Sequence, residues 1–330
     1  MKTKLPVDCV LALTYHCNSR CTMCDIWKIK NSPELSLTDL NKLPDSLRDI
    51  NLSGGEPFLR NDLDQVVAVL KKVCPKARLV ISSNGFLTPV IDKMMDKILA
   101  IAPDIGVAIS IDGIGEMHNE TRGIPGGFDR CMDTINILKK KGMTNLRIAF
   151  TITERNVNHF SKVYDLANEL GVQFAHSFAQ SSEFYFGGKH NYNSPRRDLL
   201  EAGYRQVIGG ELKSWNLKRW GRAFFDDGMF RFITSQNPVL DNAPGRDFFF
   251  VDPSGDIYPS VVHNVILGNL GQVDNFKKFW FATETEEKRK QVDALRIPVW
   301  MICTARTALK RHPLSVGWWI LKNKLFGYEI

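Results

Sequence analysis

From residue 7 to residue 178, short apolar runs alternate with stretches whose apolar residues recur every three or four positions. The runs are VDCVLALT (7–14), LRDINLSGGE (47–56), ARLVISSNG (77–85), DIGVAISIDG (104–113), LRIAFTITERN (146–156) and VQFAHSF (172–178). Strands this apolar must be covered on both faces, which predicts a parallel sheet. The amphipathic stretches at 61–73, 88–101, 127–141 and 158–170 predict the crossover helices. Repeated right-handed βα units curl, so the expected fold is α/β, a partial (β/α)6 TIM-like barrel. Ligands of such a barrel sit at the C-terminal ends of the strands.

The alternation stops near residue 180. QSSEFYFGGKHNYNSPRRD reads as a loop, and helices are expected near 196–209 and 211–233. RDFFFVDPSGDIYPS then predicts a hairpin turning at DPSGD. Helices near 274–294 and 299–311 complete the pattern. The division expected is a core barrel (1–180), a helical linker or insertion (181–245) and a C-terminal extension (246–330).

Composition narrows the function classes. The chain has 330 residues, 44% of them apolar, which is enough for a large core. No run of about 18 uncharged apolar residues predicts a spanning helix. The opening segment is interrupted by Asp8 and leads straight into a cysteine cluster, unlike a signal peptide, so the cytoplasm is the expected compartment. The net charge is 43 − 36 = +7, but no nucleic-acid motif accompanies it, and a nucleic-acid partner is not expected. Of seven cysteines, Cys9, Cys74, Cys131 and Cys303 are scattered, while Cys17, Cys21 and Cys24 share one loop. That distribution suits reduced thiols with a metal task better than a disulfide framework.

The unusual residues gather at the predicted strand ends. CNSRCTMC follows the first strand, SGGEP the second, SSNG the third, SIDG the fourth, and TITERN closes the fifth. Five loaded ends in register predict one ligand pocket. Three thiolates on one loop can hold three corners of a [4Fe–4S] cube and leave the fourth iron open to a small molecule. A zinc site completed by His16 or a remote residue is the alternative, but His16 adjoins Cys17, which suits a shared tetrahedral site poorly, and no second cysteine pair lies nearby.

C-x3-C-x2-C after a first strand resembles the signature of radical SAM enzymes. The resemblance covers about residues 7 to 178. It departs at Met23, where the family usually has an aromatic residue. GGEP, from Gly54 and Gly55 to Glu56 and Pro57, resembles the family's motif for the methionine amino group of S-adenosylmethionine. Ser83 and Asn84 resemble the strand-3 ending that faces ribose or substrate. SIDG with Arg122 resembles a SPASM-type arrangement, in which Ser110 and Arg122 hold the methionine carboxylate and Asp112 the ribose. Ile152 is expected to pack on adenine. The resemblance implies reductive cleavage of S-adenosylmethionine by a [4Fe–4S] cluster, an electron donor of flavodoxin or ferredoxin type, and a radical that takes a hydrogen atom from an unactivated carbon.

FFFVDPSGDIYPS resembles the start of a SPASM or twitch extension. Ser260 stands where that extension normally has a cysteine, and only Cys303 lies downstream, so no normal auxiliary cluster is expected. His263 and Asp252 are the remaining donors there. That loss favours a small-molecule or lipid-linked substrate over the alternative of a peptide or protein. A cluster-bearing electron carrier is the third reading, and GGEP argues against it. Substrate contacts are expected from SSEFYFGGKHNY (181–192), with Glu183, Tyr185 and His190 as candidate catalytic groups. Finally, 313–330 sets Lys322 and Lys324 among Trp318, Trp319, Leu321, Leu325 and Phe326. Such a segment is either a packed terminal helix or a peripheral membrane contact on the inner membrane face.

Overall fold

Six parallel strands in sequence order build the sheet in a computed structural model of the protein, which describes residues 4–191, 194–235 and 237–329. They are β1 (Asp8–Thr14), β2 (Asp49–Gly54), β3 (Arg78–Ser83), β4 (Gly106–Ser110), β5 (Leu146–Ile152) and β6 (Gln173–Phe178). Helix α1 (Leu37–Leu40) precedes β2 and α2 (Leu63–Val73) follows it; α3 (Thr88–Ile101) follows β3. After β4 come α4 (Glu116–Arg122) and α5 (Gly127–Lys140), and after β5 comes α6 (Phe160–Glu169). The pair α7 (Arg197–Lys213) and α8 (Leu217–Ser235) follows β6.

Side chains alternate along each strand, so one face of the sheet meets the helices and the other faces the barrel lumen. Leu11, Leu52, Ile81, Ile109 and Phe150 are fully buried in one core with helix residues such as Val67 and Ile98. This two-sided burial is what the uninterrupted apolar runs require. The lumen set is in register across the sheet: Asp8 with Asp49, Val10 with Asn51, Ala12 with Ser53, and Ala149 with Ala175.

The extension continues the same sheet. β7 (Phe248–Val251) pairs in parallel with β1, Asp8 opposite Phe248. β8 (Asp256–Tyr258) and β9 (Gly268–Asn269) add antiparallel strands, giving the order β6-β5-β4-β3-β2-β1-β7-β8-β9. Four helices follow: α9 (Phe276–Trp280), α10 (Thr283–Leu295), α11 (Ile302–Arg311) and α12 (Pro313–Phe326).

One expectation changes here. The single helix expected at 274–294 is two, broken at Phe281–Ala282, where Ala282 is extended (φ −64°, ψ 146°). The segment after β4 forms a short helix that ends at Arg122, and left-handed Gly123 (φ 64°) stops it. The tail is helical, and Trp319 packs edge-on against Phe224 of α8 at 5.3 Å. Among the described residues no helix is long and apolar enough to cross a membrane.

The N-terminal ends of the strands are closed by charge. Arg306 of α11 reaches Asp8 at 2.8 Å and Asp49 at 2.9 Å, and Arg78 meets Asp49 at 2.6 Å. Burial pushes the Asp8 carboxyl up to about 7, against the pull of Arg306.

Candidate active site

At the opposite end, the loop after β1 carries Cys17, Cys21 and Cys24, all free thiols and half-buried. The loop is strapped to the end of α4: Arg20 N donates to Arg122 O at 2.9 Å and Thr22 N to Thr121 O at 2.9 Å. A Cβ at Gly123 would lie 2.5 Å from Arg20 O, so only glycine permits this approach. Ser19 Oγ sits 3.0 Å from Cys21 Sγ and donates to Arg122 O. Arg122 Nη1 lies 3.6 Å from Cys21 Sγ.

Burial pushes the Cys17 and Cys24 thiols up to about 12. Left to themselves they hold their protons at neutral pH, and a metal would displace those protons. Among the described residues no three His, Cys, Asp or Glu side chains converge on a single ion. A cubane asks for something different, since each thiolate binds its own iron at its own corner. The three thiols line one cavity of about 290 Å³, so the donor set fits that group.

The walls of the cavity come from the lumen faces of five strands. Ser53, Ser82, Ser110, Thr151 and Ser177 point into it from successive strand ends. Small hydroxyl side chains leave space and offer donors and acceptors. Ser53, Ser82, Thr151 and Ser177 were not picked out from sequence, although strand alternation carried the signal. Each lies an even number of residues from a lumen-facing position of its own strand.

GGEP divides its roles. Gly55 lines the cavity, and a Cβ there would lie 2.2 Å from His16 O. Gly54 takes φ 121°, a conformation glycine favours, and a Cβ would meet Thr14 O at 2.2 Å. Pro57 is buried and starts a single helical turn. Glu56 does not reach the cavity. It is fully buried, and its carboxylate accepts from Phe58 N, from Ser83 Oγ at 2.9 Å and from Asn84 N at 2.7 Å. Burial pushes Glu56 up to about 7 against those bonds. Its place is to lock the ends of β2 and β3 together, which is a correction to the expectation that it faces an ammonium group. Ser83 and Asn84 do line the cavity, and Asn84 Nδ2 donates to Asn18 Oδ1 at 2.7 Å.

Asp112 and Ile152 are likewise placed away from the cavity. Asp112 is fully buried, lies 2.6 Å from Arg122 Nε, and accepts from Thr151 N at 2.7 Å. It orients Arg122, whose guanidinium lines the cavity beside Cys21. Ile152 sits in the helix-facing core, because alternation turns Thr151 inward instead. Ser110 is in the cavity wall.

A second cavity of about 680 Å³ adjoins the first through shared Phe178, Ala179 and Gln180. Glu183 and His190 line it, and Glu183 Oε2 accepts from Asn264 Nδ2 at 3.0 Å. Tyr185 does not line either cavity. It is buried against Tyr15, Phe186 and Phe250, and burial pushes its phenol pKa up. It packs under the loop, with its phenol hydrogen-bonded to Ser53 of the cavity wall. Tyr192 lies outside the described residues. The loop is fastened to the cysteine loop where Asp25 N donates to Phe186 O at 2.8 Å. Gly187 (φ 69°) lies against that backbone, and a Cβ there would fall 2.3 Å from the Asp25 carbonyl carbon.

In the extension, Ser260 Oγ and His263 Nδ1 are 2.8 Å apart, and Asp252 accepts from Ser254 N and Asp256 N. Cys303 is buried among apolar neighbours, and burial pushes its thiol up to about 12. The donors that could replace missing cysteines are thus engaged with their own surroundings.

Comparisons with known proteins agree with this layout. The Radical SAM superfamily model matches residues 11–167. Pre-heme d1 synthase of Dinoroseobacter shibae is 32% identical over 301 residues, covering 81% of this chain and 71% of that protein. Mycofactocin maturase MftC of Mycobacterium tuberculosis is 28% identical over 293 residues, covering 83% and 70%. Fe-coproporphyrin III synthase of Methanosarcina barkeri is 34% identical over 175 residues, 51% of this chain, and the match spans only 42% of that protein's length. Among solved structures, Streptococcus suis SuiB bound to S-adenosylmethionine superposes with a TM-score of 0.60 at 16% identity. That match covers 86% of this chain and 68% of that one, a likeness of fold.

Proposed function

Because the chain belongs to the radical SAM superfamily, we propose that it takes a hydrogen atom from a carbon of a peptide laid in the groove beside the thiols. It is a radical SAM enzyme whose cofactors are a [4Fe–4S] cluster and S-adenosylmethionine. Bound together and reduced, these supply a 5′-deoxyadenosyl radical able to attack an unactivated carbon.

Cys17, Cys21 and Cys24 would hold three irons. Arg122, fixed by Asp112 and facing the cavity, would pair with the methionine carboxylate. Gly55 lets backbone approach the ligand, and Ser83, Asn84, Ser110 and Thr151 present hydroxyl and amide groups to its polar parts. The buried aromatic floor beneath the loop (Tyr15, Tyr185 and Phe250) excludes water. A flavodoxin or ferredoxin would deliver the electron.

The single observation behind a peptide is the joined pair of cavities. The larger, about 680 Å³, adjoins the thiol-side cavity and runs along the loop bearing Glu183 and His190. The named maturase among the relatives supports the same reading. A small metabolite of tetrapyrrole type is the second reading, favoured by the relative named pre-heme d1 synthase.

The test offers anaerobically reconstituted protein, reductant and S-adenosylmethionine two deuterated pools: mixed peptides, and iron-coproporphyrin III. Mass spectrometry then follows 5′-deoxyadenosine and the recovered S-adenosylmethionine. Deuterium from the peptide pool is expected. Deuterium from the porphyrin alone moves the assignment to the second reading. A cluster-loaded protein that never forms 5′-deoxyadenosine with either pool, and never exchanges deuterium, overturns both.

A further inference from the structure

Helix α12 is apolar on both faces, yet it lies on the surface. Its inner face packs through Val316 and Trp319, and Lys324 Nζ donates to Leu212 O at 2.7 Å. Its outer face carries Leu314, Trp318, Leu321 and Leu325, spaced four, three and four residues apart and therefore aligned. Their exposures are 87%, 69%, 51% and 66%, and Phe326 is 81% exposed. A helix apolar all round is normally enclosed. At its C-terminal end the patch reaches the α7–α8 turn, where Trp215 is 86% exposed and Lys324 sits over its ring at 4.6 Å.

Charge identifies what covers this face. Residues 294–328 contain six Lys or Arg and no Asp or Glu, and residues 212–225 contain four and none. Lys213, Lys218, Lys310 and Lys322 are exposed. Glu211 is buried and already paired with Arg219 and Arg222. Glu329, past the end of the helix, is exposed, and so is Asp241 beside Arg311 at its start. A second copy of this face would set lysines against lysines. Exposed tryptophan and leucine ringed by lysine match the headgroup region of an anionic bilayer.

We propose that α12 and the α7–α8 turn dock the protein on an anionic membrane surface. The docking end is the one away from the thiols. Lys218 Nζ donates to Oε1 of Gln173, the first residue of β6, so the turn lies at the N-terminal ends of the strands. Membrane contact therefore holds the enzyme in place while its mouth faces the aqueous side. It carries no implication of a lipid-linked substrate.

The experiment is co-sedimentation of the full-length, cluster-loaded protein with vesicles, under anaerobic conditions. One set contains phosphatidylglycerol and phosphatidylcholine, the other phosphatidylcholine alone. The protein should pellet with the anionic set and about tenfold less with the neutral set, and raised salt should release it. Trp318→Ser with Leu325→Ser should lower binding about tenfold with iron content and circular dichroism unchanged, both side chains being exposed. Lys213→Glu with Lys322→Glu should remove the preference for the anionic set. Pelleting that ignores both double variants overturns the proposal. So does concentration-dependent dimerisation that Trp318→Ser with Leu325→Ser abolishes, in a protein that ignores vesicles, since a second copy then covers the face.

Discussion

The two ends of the barrel lumen are made by the same strands and the same alternation, yet they do opposite things. At the C-terminal ends the inward positions are Ser53, Ser82, Ser110, Thr151 and Ser177, and they leave a cavity beside three thiols. At the N-terminal ends the inward positions are Asp8, Asp49 and Arg78, and Arg306 of α11 fills the gap between them. Small hydroxyls keep space open for a ligand. Charges that satisfy one another seal the other end. The comparison teaches that residue size and charge, laid on one repeating geometry, separate the reactive end from the structural one.

Cys24→Ala should remove the cluster and lower activity by at least about a thousandfold, since every later step depends on it. Iron analysis with 5′-deoxyadenosine assays would show both losses, while the circular dichroism of the barrel persists. Ser177→Leu would put a branched side chain into the thiol-side cavity. Binding of S-adenosylmethionine or substrate should weaken about tenfold or more, with the melting temperature changed little, because open space is being filled. Activity should respond at this end alone.

At the sealed end the effect should fall on stability. Arg306→Leu leaves two largely buried carboxylates without their shared partner, and unfolding by denaturant should become easier by about 2–4 kcal/mol. The rate constant of the folded enzyme should stay within about twofold of the parent. A large loss of rate with stability intact would show that the two ends are coupled.

Two buried histidines give a pH-dependent comparison between barrel and extension. Burial lowers His118 from 6.5 to about 3 and His263 from 6.5 to about 4. Both are neutral when folded, and the unfolded chain takes up protons first as pH falls. The histidines' share of the stability should therefore be full above about 6.5 and decline from there towards about 4, opposite in sign to Asp8 and Glu56 with their raised carboxyls, so it is read as the difference in pH dependence between the parent and His263→Gln by chemical denaturation. His263→Gln should remove part of the decline if the extension unfolds together with the barrel. The smallest contrast concerns neighbours on β5. Ile152→Val should cost about 1 kcal/mol and leave cofactor binding alone, whereas Thr151→Val should spare stability and weaken binding severalfold. The reverse pattern would put Ile152 back in the site.

Much of this was readable in the sequence, for physical reasons. Both-face burial makes parallel strands continuous apolar runs, so six strands and four crossover helices stood out. The cysteine spacing and the glycine pair stood out because they recur at the ends of predicted strands, whereas Ser53, Ser82, Thr151 and Ser177 did not. What the sequence hid was direction. Glu56 and Asp112 are carboxylates at strand ends and looked like ligand contacts, but their oxygens point back to Ser83, Asn84, Thr151 and Arg122. Ile152 and Thr151 differ by one position, and only the register of β5 against β4 and β6 decides which one faces the lumen. Tyr185 looked reactive because a polar loop surrounds it, while packing against Tyr15 and Phe250 puts it underneath. The Arg306 seal joins positions 298 residues apart, a distance no local pattern signals.

The hydrogen bond from Asp25 to Phe186, with Gly187 pressed against the same backbone, joins the last thiol's neighbour to the loop that borders the larger cavity. A shift of the iron-binding turn would therefore be carried straight into the border of the larger cavity.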